Sequence, residues 1–327
     1  MLQRIVNRAQ GFKGSYRSAS SVSGGAPEKP KKKGQRVIAS ALPMFSPCGE
    51  AVGALLSAHD RKQERVRLGS EWIHVSALIN GECLRAVGIA HLEDVTAYEK
   101  PRPADRLLWA IGKAVEKHIR DSMIELYGAH NCMGRWQCPC EALDFEGEGD
   151  LSRKCGKCGK PASTYSEFNV KHRGTMLSGS PDLLVRREGS RKWTPLEIKS
   201  IKVVPKGGVV TGAPDFHNLE AAQRGHVLQV LMYRRLMLET GHEMTDEALV
   251  CYGAKDYVMQ SPYKFFTIDG EAEENVKAVN HLMKSAKEYA LALKSRKVTG
   301  RSNLCPNHET NKAKGCHCKV SCFSRKS

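Results

Sequence analysis

Fourteen residues separate Ser180-Pro181-Asp182 from Glu197-Ile198-Lys199. Residues 167–186 read as two strands joined by a turn near Arg173-Gly174, and residues 193–204 (WTPLEIKSIKVV) read as a further strand. Successive side chains of a strand point to opposite faces, so Glu197 and Lys199 share one face while Ile198 points into the core. The preceding strand delivers Asp182 to the same place. Two carboxylates brought together hold a hard divalent cation such as Mg2+ or Mn2+. The metal candidates on these strands are therefore Asp182, Glu197 and Ile198. Lys199, beside them, is placed to position a water or to stabilise charge on a phosphorane. Hydrolysis of a phosphodiester needs these groups at one point. The motif is short, and Glu-Ile-Lys on a solvated edge strand carries the same letters, so its surroundings must decide.

Those surroundings are ordered. Residues 105–127 carry Leu108, Ile111, Val115, Ile119, Met123 and Leu126 at helical spacing, with Asp105 to cap the start and Gly128 to end it. This helix holds Gly112-x-x-x-Glu116. A second long helix is expected over 216–240, ending at Gly241, and holds His226-x-x-Gln229-x-x-x-Tyr233. Gln229 and Tyr233 are four apart and share a helical face. Two strands follow within 247–268, broken near Ser261-Pro262, and then a last helix over 271–296, capped by Asp269 or Gly270.

This order resembles the RecB-like branch of the PD-(D/E)XK nucleases, whose relatives include CRISPR-associated iron–sulfur exonucleases, the AddB nuclease domain and phage recombination nucleases. The resemblance runs over roughly residues 70 to 323. It implies an α/β fold with a restriction-endonuclease-like core, a central mixed sheet flanked by helices. It also implies that Glu116 stands at a metal-ligand position and that Gln229 and Tyr233 orient DNA or the lysine. Glu116 is preferred over His118 because it keeps the family spacing from Gly112. His118 is then a surface or packing residue, and His226, taken alone, reads as structural.

The twelve cysteines fall into two groups and a remainder. Cys138-x-Cys140 and Cys155-x-x-Cys158 stand fourteen residues apart, with Gly156 and Gly159 beside the second pair. Four thiolates so spaced suit tetrahedral Zn2+ in a zinc-ribbon-like insertion over 136–160. The acidic loop between them (Glu141, Asp144, Glu146, Glu148, Asp150) is a poor surface for DNA. Cys305, Cys316, Cys318 and Cys322 form the second group. The family resemblance implies a 4Fe–4S cluster held by Cys83, Cys305, Cys316 and Cys322, with Cys318 spare. Cys83 lies in a Ser-x-Leu…Cys-x-Arg segment, Ser76 to Arg85. A second Zn2+ site built from Cys305, Cys316, Cys318, Cys322 and His308 or His317 is the competing reading. Cys48, Cys132 and Cys251 read as unpaired thiols.

Charge is concentrated at the ends. Residues 1–36 hold nine Lys or Arg against Glu28, residues 294–327 hold nine against Glu309, and the middle balances, within a formal net charge of +16. Basic ends attract polyphosphate and point to nucleic acid. The expected organisation is a disordered basic arm (1–36), an N-terminal region carrying Cys83 (37–104), a nuclease core with the zinc insertion (105–296), and a basic cysteine-rich tail (297–327). No apolar run reaches the ~20 residues of a membrane helix. A cytoplasmic location is expected, with an organellar matrix as the alternative if residues 1–27 act as a transit segment. The expected activity is Mg2+- or Mn2+-dependent hydrolysis of DNA, first of single strands or duplex ends, in phage-type recombination, repair or replication, with a protein partner from that machinery among the expectations. A nuclease-fold module that binds without cutting, and an RNA-processing nuclease, are the alternatives.

Overall fold

Alternation along one central strand sorts the interior into two layers, and the site lies where those layers meet. The computed structural model describes residues 64–66, 72–79, 83–93, 97–99, 103–201, 216, 219–254, 262–298, 316, 318 and 322. The basic arm, Cys48, Cys305, His308 and His317 lie outside them. In chain order the elements are β1 (Glu64–Val66), β2 (Ile73–His74), α1 (Val75–Ile79), α2 (Leu84–Leu92), β3 (Ala97–Glu99), α3 (Pro103–Tyr127), β4 (Cys132–Gln137), β5 (Asp144–Glu148), β6 (Thr164–Ser166), β7 (Val170–His172), β8 (Leu177–Gly179), β9 (Leu183–Val185), β10 (Thr194–Ile201), α4 (Arg224–Glu239), β11 (Glu247–Ala254), β12 (Tyr263–Asp269) and α5 (Glu273–Lys294).

The central sheet has seven strands in the order β12-β11-β10-β9-β4-β5, with β6 also paired to β4. β10 and β11 run parallel, and the other neighbours in this sheet run antiparallel. A parallel pair needs a crossover, and α4 lies between these two strands in the chain. A smaller sheet, β2-β8-β7, and the pair β1-β3 complete the strands. The fold is thus mixed α/β, with a central mixed sheet flanked by helices.

Leu196 and Ile198 of β10 pack on the α3 side with Ile119, Leu183, Val185 and Cys251. Ile201 packs on the other side, with Val250 and Tyr252 of β11 and with Val230, Leu231 and Tyr233 of α4. Each fully buried aliphatic side chain in these layers contributes about 1.5–3 kcal/mol. α4 is buried around most of its circumference, as a helix between a sheet and other helices must be. α3 sits close against the sheet because two glycines make room for it. A Cβ at Gly112 would lie 2.9 Å from Ser200 Oγ, and one at Gly253 would lie 2.6 Å from Val115 Cγ1.

Several boundaries differ from the sequence expectation, each for a local reason. α3 begins at Pro103, whose restricted φ suits a first helical turn, so Asp105 lies inside that turn instead of capping it. Gly128, at φ 80°, ends the helix and donates to Ile124 O at 2.9 Å. The segment 167–186 forms three strands, not two. Pro181 cannot donate to a ladder, so β8 ends before it and β9 departs for the central sheet. α4 starts at Arg224, not 216, because Gln223 is extended (φ −63°, ψ 135°). Phe216 and Leu219 are buried ahead of it. α5 is preceded by Ala272 as its cap position, not Asp269 or Gly270. Asp269 instead closes the turn before the helix, accepting from Glu271 N at 2.9 Å and from Asn275 Nδ2 at 2.7 Å.

Candidate active site

The break at Ser180-Pro181 places Asp182 directly ahead of β9, beside the antiparallel strand β10. Its Oδ2 accepts the Ile198 N–H at 2.6 Å. Ile198 therefore contributes its amide to Asp182, while its side chain is buried in the α3 layer. Glu197, on the opposite face, is 1% exposed. One of its oxygens pairs with Lys199, and the other, Oε2, is sealed from solvent without a hydrogen-bond partner among the described residues. Burial and the neighbouring Asp182 charge push the Glu197 carboxyl well above its ordinary range, and Lys199 offsets them only in part. Burial likewise raises Asp182, against the pull of Lys199 and of the Ile198 amide. Burial works against the charge of Lys199, yet Glu197 and Asp182 together hold its ammonium above the usual lysine range.

Glu116 reaches the same locus from α3. It is raised by burial and then by the charge of Asp182, and lowered by Lys199. The seat of α3 at Gly112 explains its position, because Glu116 follows that close contact by one helical turn. His118 is exposed, with its ring 6.5 Å from that of Tyr263. On α4, Gln229 Nε2 donates to the Tyr233 hydroxyl at 2.9 Å. The Tyr233 hydroxyl is raised by burial and next by Glu197, which marks its closeness to the carboxylates. Gly179 lets β8 pass against this tyrosine, since a Cβ there would lie 2.5 Å from Tyr233 Cε1.

Two members of the cluster escaped the sequence reading. Glu167, just past β6, is raised by burial and by Asp182, and Arg120 Nη1 donates to it at 3.3 Å. No motif marks Glu167. It arrives through the pairing of β6 with β4, and Asn169 Nδ2 ties its segment to Ser180 Oγ at 3.1 Å. Arg120 had a signal, its i,i+4 spacing from Glu116.

Four carboxylates (Glu116, Glu167, Asp182, Glu197) thus face two cations, Lys199 and Arg120. Crowded like charges, one of them the buried Glu197 with an oxygen unpartnered among the described residues, call for a further cation. The donor set is all oxygen, which suits a hard divalent ion.

The second group of candidates stands at the ends of β4 and β5. Cys138, Cys140, Cys155 and Cys158 bring their Sγ atoms within 4.8 Å of one another. Two knuckles shape the site. Leu143 N donates to Cys138 Sγ at 3.2 Å and Lys157 N to Cys155 Sγ at 3.4 Å, and Glu141 and Gly159 turn at positive φ. Burial opposes ionisation of Cys138, but the Leu143 amide and the neighbouring thiols bring it down to about 6. Cys140, despite the Ala142 amide, is raised by its hydrogen bonds to the same thiols, so the cluster shares its protons. Thiolate character at neutral pH is what a metal ligand needs. The cluster grows out of strands of the central sheet, so it extends the core.

In the third group, Cys318 and Cys322 are buried beside Ile89 and Ala90 of α2, with Cys316 packed against them. Arg85, fully buried, donates from Nη2 to Cys322 O at 3.2 Å, and Cys318 Sγ donates to Ala86 O at 3.4 Å. Burial first, then charge on Cys316, Glu93, Cys322 and Cys83, pushes Cys318 up to about 11. Cys83, at the cap position of α2, therefore shares a neighbourhood with cysteines more than 230 residues away. Cys132 and Cys251 are buried core thiols.

Among solved structures, the chain is similar to the crystal structure of an alkaline exonuclease (LHK-Exo) from Laribacter hongkongensis. The match has 12% sequence identity and a TM-score of 0.35, over 74% of this chain and 95% of that one. No protein-family model and no curated protein matches the chain. Among the described residues no helix is long and apolar enough to cross a membrane.

Proposed function

We propose that this chain is a divalent-metal-dependent nuclease of the RecB-like PD-(D/E)XK type that hydrolyses DNA phosphodiesters. The observation that carries the reading is the convergence of Glu116, Asp182 and Glu197 on Lys199, with Glu197 Oε2 buried and, among the described residues, unpartnered. Glu116, Asp182, Glu197 and the backbone at Ile198 would hold Mg2+ or Mn2+. When bound, the ion supplies Lewis acidity to the scissile phosphate. Lys199 stays charged and offers its ammonium to the oxygens on which negative charge develops. Tyr233, fixed by Gln229, presents its hydroxyl beside Glu197 and helps to orient the strand or the lysine. The ends, each with a net excess of eight positive charges, add affinity for the phosphate backbone. End-directed digestion, in a recombination or replication setting in the cytoplasm, is the activity the family resemblance favours.

Zn2+ at Cys138, Cys140, Cys155 and Cys158 is proposed as a structural staple. A 4Fe–4S cluster at Cys83, Cys305, Cys316 and Cys322 is proposed as a second, supported by the gathering of Cys83 with Cys316 and Cys322. The deciding experiment incubates the purified chain with labelled single-stranded DNA, duplex DNA and RNA, with free or blocked ends, in EDTA, Mg2+ or Mn2+. Metal-dependent loss of DNA supports the reading. Retention of intact DNA on the protein in every metal would make it a binding module, and selective loss of RNA would change the substrate.

A further inference from the structure

His226 stands one turn ahead of Gln229 and two turns ahead of Tyr233, so the three share a face of α4. Its Nδ1 lies 2.8 Å from the Tyr252 hydroxyl, and the two rings are 5.6 Å apart between centroids. Tyr252 is buried on β11 and sits opposite Lys199 in the β10–β11 register. The same hydroxyl accepts the Gln223 N–H at 2.9 Å. A tyrosine hydroxyl has one proton to give. Among the described residues, the acceptor within reach of that proton is His226 Nδ1. Leaving a buried hydroxyl proton unpaired is costly, so the proton goes to Nδ1. The imidazole must then carry its own proton on Nε2. Burial, and secondly the charge of Lys199, pushes His226 down to about 4, so the ring is neutral at ordinary pH. Among the described residues Nε2 has no hydrogen-bond partner.

We propose that His226 is a tautomer-locked neutral donor whose Nε2–H binds a non-bridging phosphate oxygen of the nucleic-acid strand beside Lys199. The proposal rests on the nuclease reading of the site. A neutral donor suits that place. It grips an anionic oxygen without adding a further fixed cation next to Lys199 or competing with a metal ion for the carboxylates. Tyr252 is then a positioning residue that acts through His226, with Gln223 setting its hydroxyl.

The test uses the full chain. Ring-nitrogen NMR of 15N-labelled Asp182→Asn protein, a non-cleaving background, is recorded in Mg2+ with and without oligothymidylate. The His226 signals are assigned by their loss in His226→Gln. The expected free state is the Nε2–H tautomer, and the Nε2 resonance should move when the oligonucleotide binds. In the otherwise wild-type chain, His226→Ala should weaken oligonucleotide affinity or cleavage about ten- to hundredfold, the range for a hydrogen bond to a charged acceptor. His226→Gln, whose amide reaches the Nε2 position, should recover much of that loss. Tyr252→Phe keeps the ring but frees the tautomer, and should give mixed tautomers with a smaller loss. An Nδ1–H tautomer, an Nε2 resonance that ignores the oligonucleotide, or a folded His226→Ala that binds and cuts normally would overturn the proposal. If His226→Ala does not fold, the NMR titration and the glutamine variant decide. If the wild-type chain cuts nothing, the nuclease reading fails, while the titration still tells whether His226 meets a phosphate.

Discussion

Asp182 and Glu197 are held in a site that penalises their charge, and Lys199 is held in one that preserves it. Asp182→Asn or Glu197→Gln should therefore abolish cleavage while DNA retention in a filter-binding assay stays near wild type. The loss should amount to several kcal/mol of transition-state stabilisation. Lys199→Ala should also inactivate, yet still bind Mn2+ in titration calorimetry. Near-normal turnover by any of the three at saturating Mn2+ would remove this cluster from the mechanism. The raised carboxylates set a pH dependence as well. Their folded-state affinity for protons exceeds that of the unfolded chain. The resulting stability is present at acid pH and is lost as pH rises through the folded pKa values. Metal ligands must be deprotonated, so Mn2+ should stabilise progressively more as pH rises. Melting temperatures with EDTA and with Mn2+, taken from about pH 5 to pH 8, should diverge with pH in the wild type. In Asp182→Asn the divergence should shrink, and parallel curves in the wild type would contradict the assignment.

At the scale of elements, the site depends on how closely α3 meets β10. A Cβ at Gly112 would already crowd Ser200 Oγ, so the branched side chain of Gly112→Val should push the helix outward and carry Glu116 with it. Overpacking of this kind costs about 1–3 kcal/mol. If Glu116 is the proposed metal ligand, cleavage should fall well beyond that stability loss, because its displacement would be felt directly at the metal. Thermal melts paired with turnover numbers separate the two effects, and equal losses would mean that Glu116 is not a ligand. The knuckles at the ends of β4 and β5 make a second local prediction. The chain should carry about one Zn2+ there by elemental analysis. Cys155→Ser should release it and expose the β4–β5 hairpin to protease, while Leu196 and Ile198 remain protected from hydrogen exchange in the core.

Across the whole molecule, buried Arg85 fastens the C-terminal cysteine segment to α2, joining parts of the chain more than 230 residues apart. If Cys83 shares a 4Fe–4S cluster with Cys305, Cys316 and Cys322, protein purified without oxygen should be brown. Cys83→Ser should bleach it and lower the melting temperature, and Cys318→Ser should do much less. A colourless preparation with two zinc ions and no iron would replace the cluster with a C-terminal zinc site.

What the sequence determined by itself is whatever repeats within one element. The two-residue period of β10 separated Glu197 and Lys199 from Ile198. The helical period placed Gln229 with Tyr233, and the spacing of Cys138, Cys140, Cys155 and Cys158 announced a tetrad. These are legible because backbone geometry sets the direction of a side chain relative to its near neighbours, whatever the rest of the chain does. Only the tertiary structure decided what meets across elements. It put Glu167 beside Asp182 through the β6–β4 pairing, gave Gly112 its purpose against Ser200, split 167–186 at Pro181, and set Tyr252 under His226 opposite Lys199. Such meetings depend on strand order, register and the depth at which helices pack. Those follow from the burial of the whole core, and no short stretch of sequence carries them.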